Sequence, residues 1–165
     1  MSGTARLSLP FLSPGQAQKE FFHNEALQIL DLLAACAVEE PPRSTPPASP
    51  PVGACYIVGS SPTGSWAGKG QSIAGYTSGG WRFVSPLDGM IAYVKSTGTS
   101  ANYRAGTWEL GALRGASVVL GGLQVVGSRV APIAAPVGGT NVDLEARAAI
   151  NHVLDAMRAH GLIES

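Results

Sequence analysis

The sequence predicts an α+β chain, mainly β: a small antiparallel β-barrel or sandwich core flanked by an N-terminal helix and a C-terminal oligomerisation helix. Three observations predict it. The 165 residues include 21 Gly and 12 Pro but only 13% charged residues, a composition of turns and short strands rather than of a helical bundle. Tyr56, Trp66, Tyr76, Trp81, Phe83, Tyr93, Tyr103 and Trp108 are spread one or two per strand-like stretch, as a thin β-core needs. Helical spacing of apolar residues is confined to the two ends.

The first region, 1–40, opens with the strand-like RLSLPFL and continues as an amphipathic helix. Ser13 suits the N-cap, Pro14 the first helical position and Gln16 the capping-box site. Phe22, Ala26, Ile29, Leu33 and Cys36 recur at three and four and share one face, which Leu30 widens; Glu20, Asn24, Gln28 and Asp31 fall on the other. The second region, 41–52, carries six prolines between positions 41 and 51 and reads as a polyproline II linker, a stiff spacer laid over a neighbouring surface.

The third region, 53–112, is the small aromatic-rich β-domain. ACYIVG is a strand ending at a turn. SIAGYTSGGWRFV reads as two strands joined by Ser-Gly-Gly, PLDGMIAYV as an Asp-Gly turn and a strand, and ANYRAGTWEL as another hairpin. The fourth, 113–139, is a Gly/Val-rich β extension whose Val118, Leu120, Val125 and Val130 are candidates for strands between subunits. The last, 140–165, is a helix that Thr140 or Asn141 caps, with Asp143 and Glu145 at its positive end, Arg158 at its negative end and Gly161 as C-cap. Ala146, Ile150, Val153 and Met157 follow the 4-3-4 spacing of a coiled-coil seam. Two heptads are short for an isolated helix in water, so this one needs its own domain or copies of itself.

Charge excludes some function classes. A net charge of zero and a pI near 6.8 argue against nucleic acid and anionic membrane as main partners. Such a surface opposes self-association weakly. The N-terminus lacks the apolar core of a signal peptide, which predicts synthesis in the cytoplasm without one. The charge-poor stretch 115–139 is broken by Gly121, Gly122, Gly127, Pro132, Pro136 and Arg129, so no membrane insertion is expected. Cys36 and Cys55 read as free, buried thiols.

Catalytic patterns are close to absent. GSWAGKG has three residues where a phosphate-binding loop needs four, and no helical pattern follows it. HNEAL displaces the Glu of a zinc-protease helix and lacks its second His, and GSWAG lacks a nucleophile elbow's Ser. Adjacent residues on a helix point about 100° apart, so His23, Asn24 and Glu25 diverge and make contacts rather than a reaction centre. Asp88 and Glu109 are the acids of the β-region; Asp88 before Gly89 is a turn residue, which leaves Glu109 as the one candidate for glycan cleavage. The expectation is no enzyme, no catalytic residues, no metal and no cofactor.

Three stretches carry a likeness. LPFLSPGQAQKEFFHNEALQILDLL, the β-region YIVGSSPTGSWAGKGQSIAGYTSGGWRFVSPLDGMIAYV, and VVGSRVAPI followed by VDLEARAAINHVLDAMRAHGLI together cover most of the chain. They resemble a family of bacteriophage and gene-transfer-agent structural proteins whose domain, of unknown function, occurs in tail fibres and in head or tail spikes. The resemblance implies a virion component without catalysis: a homo-oligomer, trimer or pentamer, that supports host attachment as a spike base or short tail-fibre adaptor. Its partners would be capsid-vertex, tail or fibre subunits, and its location the assembled particle. The alternative is a carbohydrate-binding module that recognises host surface polysaccharide through exposed members of Trp66, Tyr76, Trp81 and Trp108.

Overall fold

The computed structural model describes residues 3–13, 19–140 and 143–164. The expected helix start at Pro14 and Gln16, and the candidate cap Asn141, lie outside the described residues. The fold is mixed α+β and mainly β, and it divides into two compact units, Met1–Ala112 and Leu113–Ser165.

In unit 1, helix α1 (Lys19–Leu33) leads into the two-residue strand β1 (Ala37–Val38), and the segment 41–52 follows. Strands β2 (Cys55–Ile57), β3 (Ile73–Thr77) and β4 (Gly80–Val84) form one antiparallel sheet in that order, with a short 3₁₀ turn at Gly64–Trp66 between β2 and β3. Strands β5 (Ile91–Val94), β6 (Thr99–Arg104) and β7 (Thr107–Leu110) form the second sheet, in the order β1-β5-β6-β7. The β1–β5 pair is parallel, with Ala37 opposite Tyr93, so this sheet is not purely antiparallel as expected. A helix rather than a tight turn precedes β1, which frees it from hairpin geometry. No described strand closes either sheet into a barrel.

The turns follow from local chemistry. Arg104 pairs with Thr107 across a two-residue connection in which Ala105 and Gly106 have φ of 47° and 84°. Both central residues are left-handed, the turn whose twist matches the flanking strands. In the β3–β4 hairpin the Thr77 hydroxyl closes the turn, donating to Gly80 O at 2.8 Å and accepting from Gly79 N at 3.2 Å.

Strand β2 is buried along its whole length, because both of its faces are covered. Cys55 and Ile57 join Leu32, Val38, Ile73, Ala92, Val94, Ala101 and Trp108 in a core shared by α1 and both sheets. Tyr56 points the other way, into a second cluster with Ala54, Val58, Trp66 and Ala74, backed by Trp81 and Phe83. Successive side chains of a strand alternate between faces, so a run of apolar residues here serves two layers.

The chain after α1 hydrogen-bonds to both sheets: Tyr93 N donates to Cys36 O and Lys95 N to Val38 O, then Glu39 N donates to Cys55 O. The proline-rich segment continues along β2, with Arg43 N donating to Ile57 O at 3.1 Å and Gly59 N to Arg43 O at 2.8 Å. Its non-proline residues supply the donors that proline lacks. It therefore lies on the sheet as part of unit 1.

In unit 2, β8 (Val118–Leu120) and β9 (Leu123–Val126) form a two-stranded antiparallel hairpin, and α2 spans Leu144–Ala159. Asp143, expected in the first turn of α2, is its N-cap in place of the expected Thr140: its side chain accepts from Ala146 N at 2.8 Å. Gly161 takes φ 70°, Gly161 N donates to Arg158 O and Leu162 N to Met157 O, a Schellman end. The stretch before the helix is strapped to it. Arg158 Nη2 donates to Ile133 O at 2.8 Å, Arg147 to Pro136 O and Gly138 O, and Val130 pairs in parallel with Ile163. Leu154 and Ile163 are the large apolar side chains buried in this unit among the described residues.

Candidate functional site

The polar run on α1 is a clasp. Asn24 Oδ1 accepts from Leu12 N at 2.9 Å and its Nδ2 donates to Leu12 O at 3.2 Å, so one amide side chain pairs with the backbone as a strand would. Glu25 receives two hydrogen bonds from Arg82 of β4, each 2.8 Å. His23 is exposed. The three neighbours thus point to different partners, and no reacting atom lies between them.

The residue that organises this corner is Asp31, which no sequence pattern singled out. Its carboxylate is buried and accepts from Thr4 Oγ1 at 2.8 Å, Arg6 N at 3.0 Å and Leu7 N at 2.6 Å. Arg6 closes the loop by donating to the carbonyls of Asp31, Leu32 and Ala35 at the C-terminal end of α1. A guanidinium there satisfies carbonyls that the helix leaves unpaired and meets the negative end of its dipole. Thr4, Asp31 and Gln28 also line a cavity of about 170 Å³ with Phe11, Val52 and Thr77. The one available hint was an acid at a helix position flanked by leucines.

The candidate glycan contacts divide. Trp66 is fully buried and Trp108 nearly so, with Trp108 Nε1 donating to Gln71 O at 2.7 Å; neither offers a ring face to a sugar, a correction to the expectation. Trp66 packs with Tyr56 and Trp81 in the second cluster, and Trp108 fills the core shared by α1 and both sheets. Tyr76 and Trp81 are half-buried and meet edge to face at 4.9 Å, with Trp81 also against Trp66 at 5.1 Å. Lys69 Nζ lies 5.6 Å above the Phe83 ring on the same cluster. Glu109 sits on β7 opposite Asn102, and Asp88 Oδ2 accepts from Ala105 N at 3.4 Å beside a turn. Among the described residues no three His, Cys, Asp or Glu side chains are grouped to hold a metal ion, and no helix is long and apolar enough to cross a membrane.

Cys36 and Cys55 are free thiols, half-buried and buried. Burial pushes the Cys55 thiol up to about 11, and the Cys36 thiol shifts in the same direction for the same reason. A thiol held protonated in this way is a packing group, not a nucleophile.

Unit 2 presents the other candidate surface. Val118, Leu120 and Val125 on the hairpin are about half or more exposed, as are Val130 and the seam residues Ile150 and Val153. Ala146 is exposed as well, and Met157 half-buried. The backbone of Val130 is used within the chain, its N–H by Leu162 O and its C=O by Glu164 N, so only its side chain is offered outward.

The profile of a family described as "Protein of unknown function (DUF2793)" matches residues 23–109, more than half of the chain. The chain belongs to that family. The DUF2793 match begins inside α1 at His23 and ends on β7 at Glu109, so it spans both sheets and the Glu25–Arg82 clasp. Unit 2 lies beyond it. No curated protein matches the chain significantly.

Proposed function

We propose that this DUF2793 chain is a non-enzymatic structural subunit of a phage-like particle, a spike base or short tail-fibre adaptor, that assembles from several copies and supports attachment to host cells. The observation that carries the assembly is the apolar surface of unit 2. Its large aliphatic side chains face solvent, from Leu113 and Val118 through Leu123 and Val137 to Leu144 and Val153. A two-stranded hairpin is marginal alone in water, so β8 and β9 gain from a surface that covers their exposed aliphatic side chains. Unit 2 has four Arg and four Asp or Glu, so no net charge keeps copies apart.

The particle assignment rests on the sequence motifs that resemble phage and gene-transfer-agent proteins. Trimer and pentamer are the orders that fit a fibre axis and a capsid vertex. The two open sheets over one shared core support the sandwich form of the expected β-core. Native mass by light scattering tests the reading: a defined oligomer is expected, and Ile150→Asp, which puts a charge in the α2 seam, should lower that mass. A wild-type monomer would overturn it.

The half-exposed Tyr76–Trp81 pair favours a second reading, a module that binds host surface polysaccharide. It requires binding that disappears in Trp81→Ala at unchanged native mass.

A further inference from the structure

Helix α1 is packed inside out. Its inner side holds Asn24, Glu25, Gln28 and Asp31 beside Leu32, whereas Phe22, Ile29 and Leu30 are 72%, 40% and 54% exposed, and Ala26 is exposed with them. The bonds of Asp31 to Thr4, Arg6 and Leu7, of Asn24 to Leu12 and of Glu25 to Arg82 all come from that inner side. Rolling the helix to bury its apolar stripe would break every one of them and strand a buried carboxylate. The stripe is held outward.

Its residues are spaced for another helix. Phe22, Ala26, Ile29 and Leu33 step by four, three and four, the spacing of knobs that enter a partner's holes. That spacing reads the same in both directions. An antiparallel pair about a two-fold axis therefore sets Phe22 against Leu33 and Ala26 against Ile29, and each contact occurs twice. The small Ala26 leaves room for Ile29.

We propose that this outward face of α1 is a second self-association surface, at which two copies of the chain meet antiparallel. Its area sets its strength. The stripe offers on the order of 400 Å² per copy, about half of what a free-standing interface buries. A contact of that size forms where copies are already concentrated, as they are when other contacts hold them at millimolar effective concentration. In this respect the inference rests on the oligomer formed through unit 2. Where that oligomer has an odd number of copies, a two-fold contact also links one oligomer to the next.

The test is site-directed cross-linking of the full chain. Ala26→Cys is treated with a short bismaleimide, with the unsubstituted chain as the control for Cys36, and native mass is measured in parallel. A covalent dimer is expected from Ala26→Cys alone, falling ~tenfold when Phe22→Asp or Ile29→Lys is added, since either charge would be buried at the pair. Phe22 and Ile29 are exposed in the single chain, so these substitutions probe the surface rather than the fold. An oligomeric mass without the covalent dimer, or a dimer yield indifferent to both charges, overturns the inference and leaves the unit 2 reading standing. A monomeric mass with a charge-sensitive covalent dimer overturns the unit 2 reading and keeps the α1 surface. A monomeric mass with no dimer overturns both.

Discussion

Arg82 donates to both carboxylate oxygens of Glu25, Nε to Oε2 and Nη2 to Oε1, and so ties β4 to α1 across 57 residues of sequence. These hydrogen bonds, with the Arg82 charge behind them and partial burial opposing, hold the Glu25 carboxyl below its ordinary value. A carboxyl whose folded value is depressed stabilises the fold above its unfolded value and ceases to as pH falls through the folded one. Glu25→Gln should therefore cost about 1 kcal/mol at pH 7. Urea titrations of both chains should converge in acid, below the folded value. A gap of equal size at pH 7 and in acid would mean that the pair contributes by packing alone.

Asp31 is a stricter case, because its oxygens serve three donors in a buried place. Asparagine keeps the shape but turns an NH₂ toward backbone N–H groups. Asp31→Asn should destabilise by about 2–3 kcal/mol, the cost of leaving buried donors unmet. Thr4→Val, which removes one donor, should cost about 1 kcal/mol. Amide exchange at Arg6 and Leu7 should accelerate in Asp31→Asn before global unfolding does; unchanged exchange would contradict the clasp.

Gly75 on β3 and Leu32 on α1 occupy one space. A Cβ at Gly75 would lie 2.1 Å from Leu32 Cδ2 and 2.9 Å from its Cγ, and Leu32 is itself 2% exposed. Gly75→Ala should cost about 1–3 kcal/mol by overpacking. Leu32→Ala alone should cost about 2–5 kcal/mol, and distinctly less when Gly75→Ala is already present. A double-mutant cycle reads the difference, and additive effects would show that the helix does not seat against this glycine.

The buried thiol predicts an alkaline limit. Cys55 is raised from 9.0 to about 11, chiefly by desolvation. A folded value above the unfolded one gives stability that is complete below the unfolded value and is lost as pH rises through the folded one. Stability should fall between about pH 9 and 11, with Cys55 supplying on the order of 2 kcal/mol of the drop. Cys36 and Tyr56 are raised as well and add to it. Cys55→Ala should flatten part of the loss in urea midpoints taken across that window; an unchanged slope would exclude the thiol as its source.

Local order was legible wherever it depends on neighbours in the chain. The hairpins around Ser78-Gly79 and Ala105-Gly106, the turn at Gly89 and the positive-φ glycine, Gly161, just after the C-cap His160 all answer to short-range rules of φ, turn length and side-chain size. The two helices were visible in their periodicity. Partners were not. A helical wheel separates two faces of α1 but carries no sign that says which one meets the sheet, and the polar face won because Thr4, Leu12 and Arg82 supply its hydrogen bonds from remote parts of unit 1.

By itself, then, the sequence determined the kinds of elements and their ends: a mainly β chain with a helix near each terminus, punctuated by glycine and proline, because these depend on backbone sterics within a few residues. Only the tertiary structure decided which side chains are used up. Trp66 and Trp108 disappeared into the two buried clusters, and the proline-rich segment lay down along β2. Asp31 became the pivot of a buried clasp, while the apolar stripe of α1 stayed in solvent. Burial depends on what arrives from far along the chain, and pairwise contacts at long separation leave no trace in local pattern.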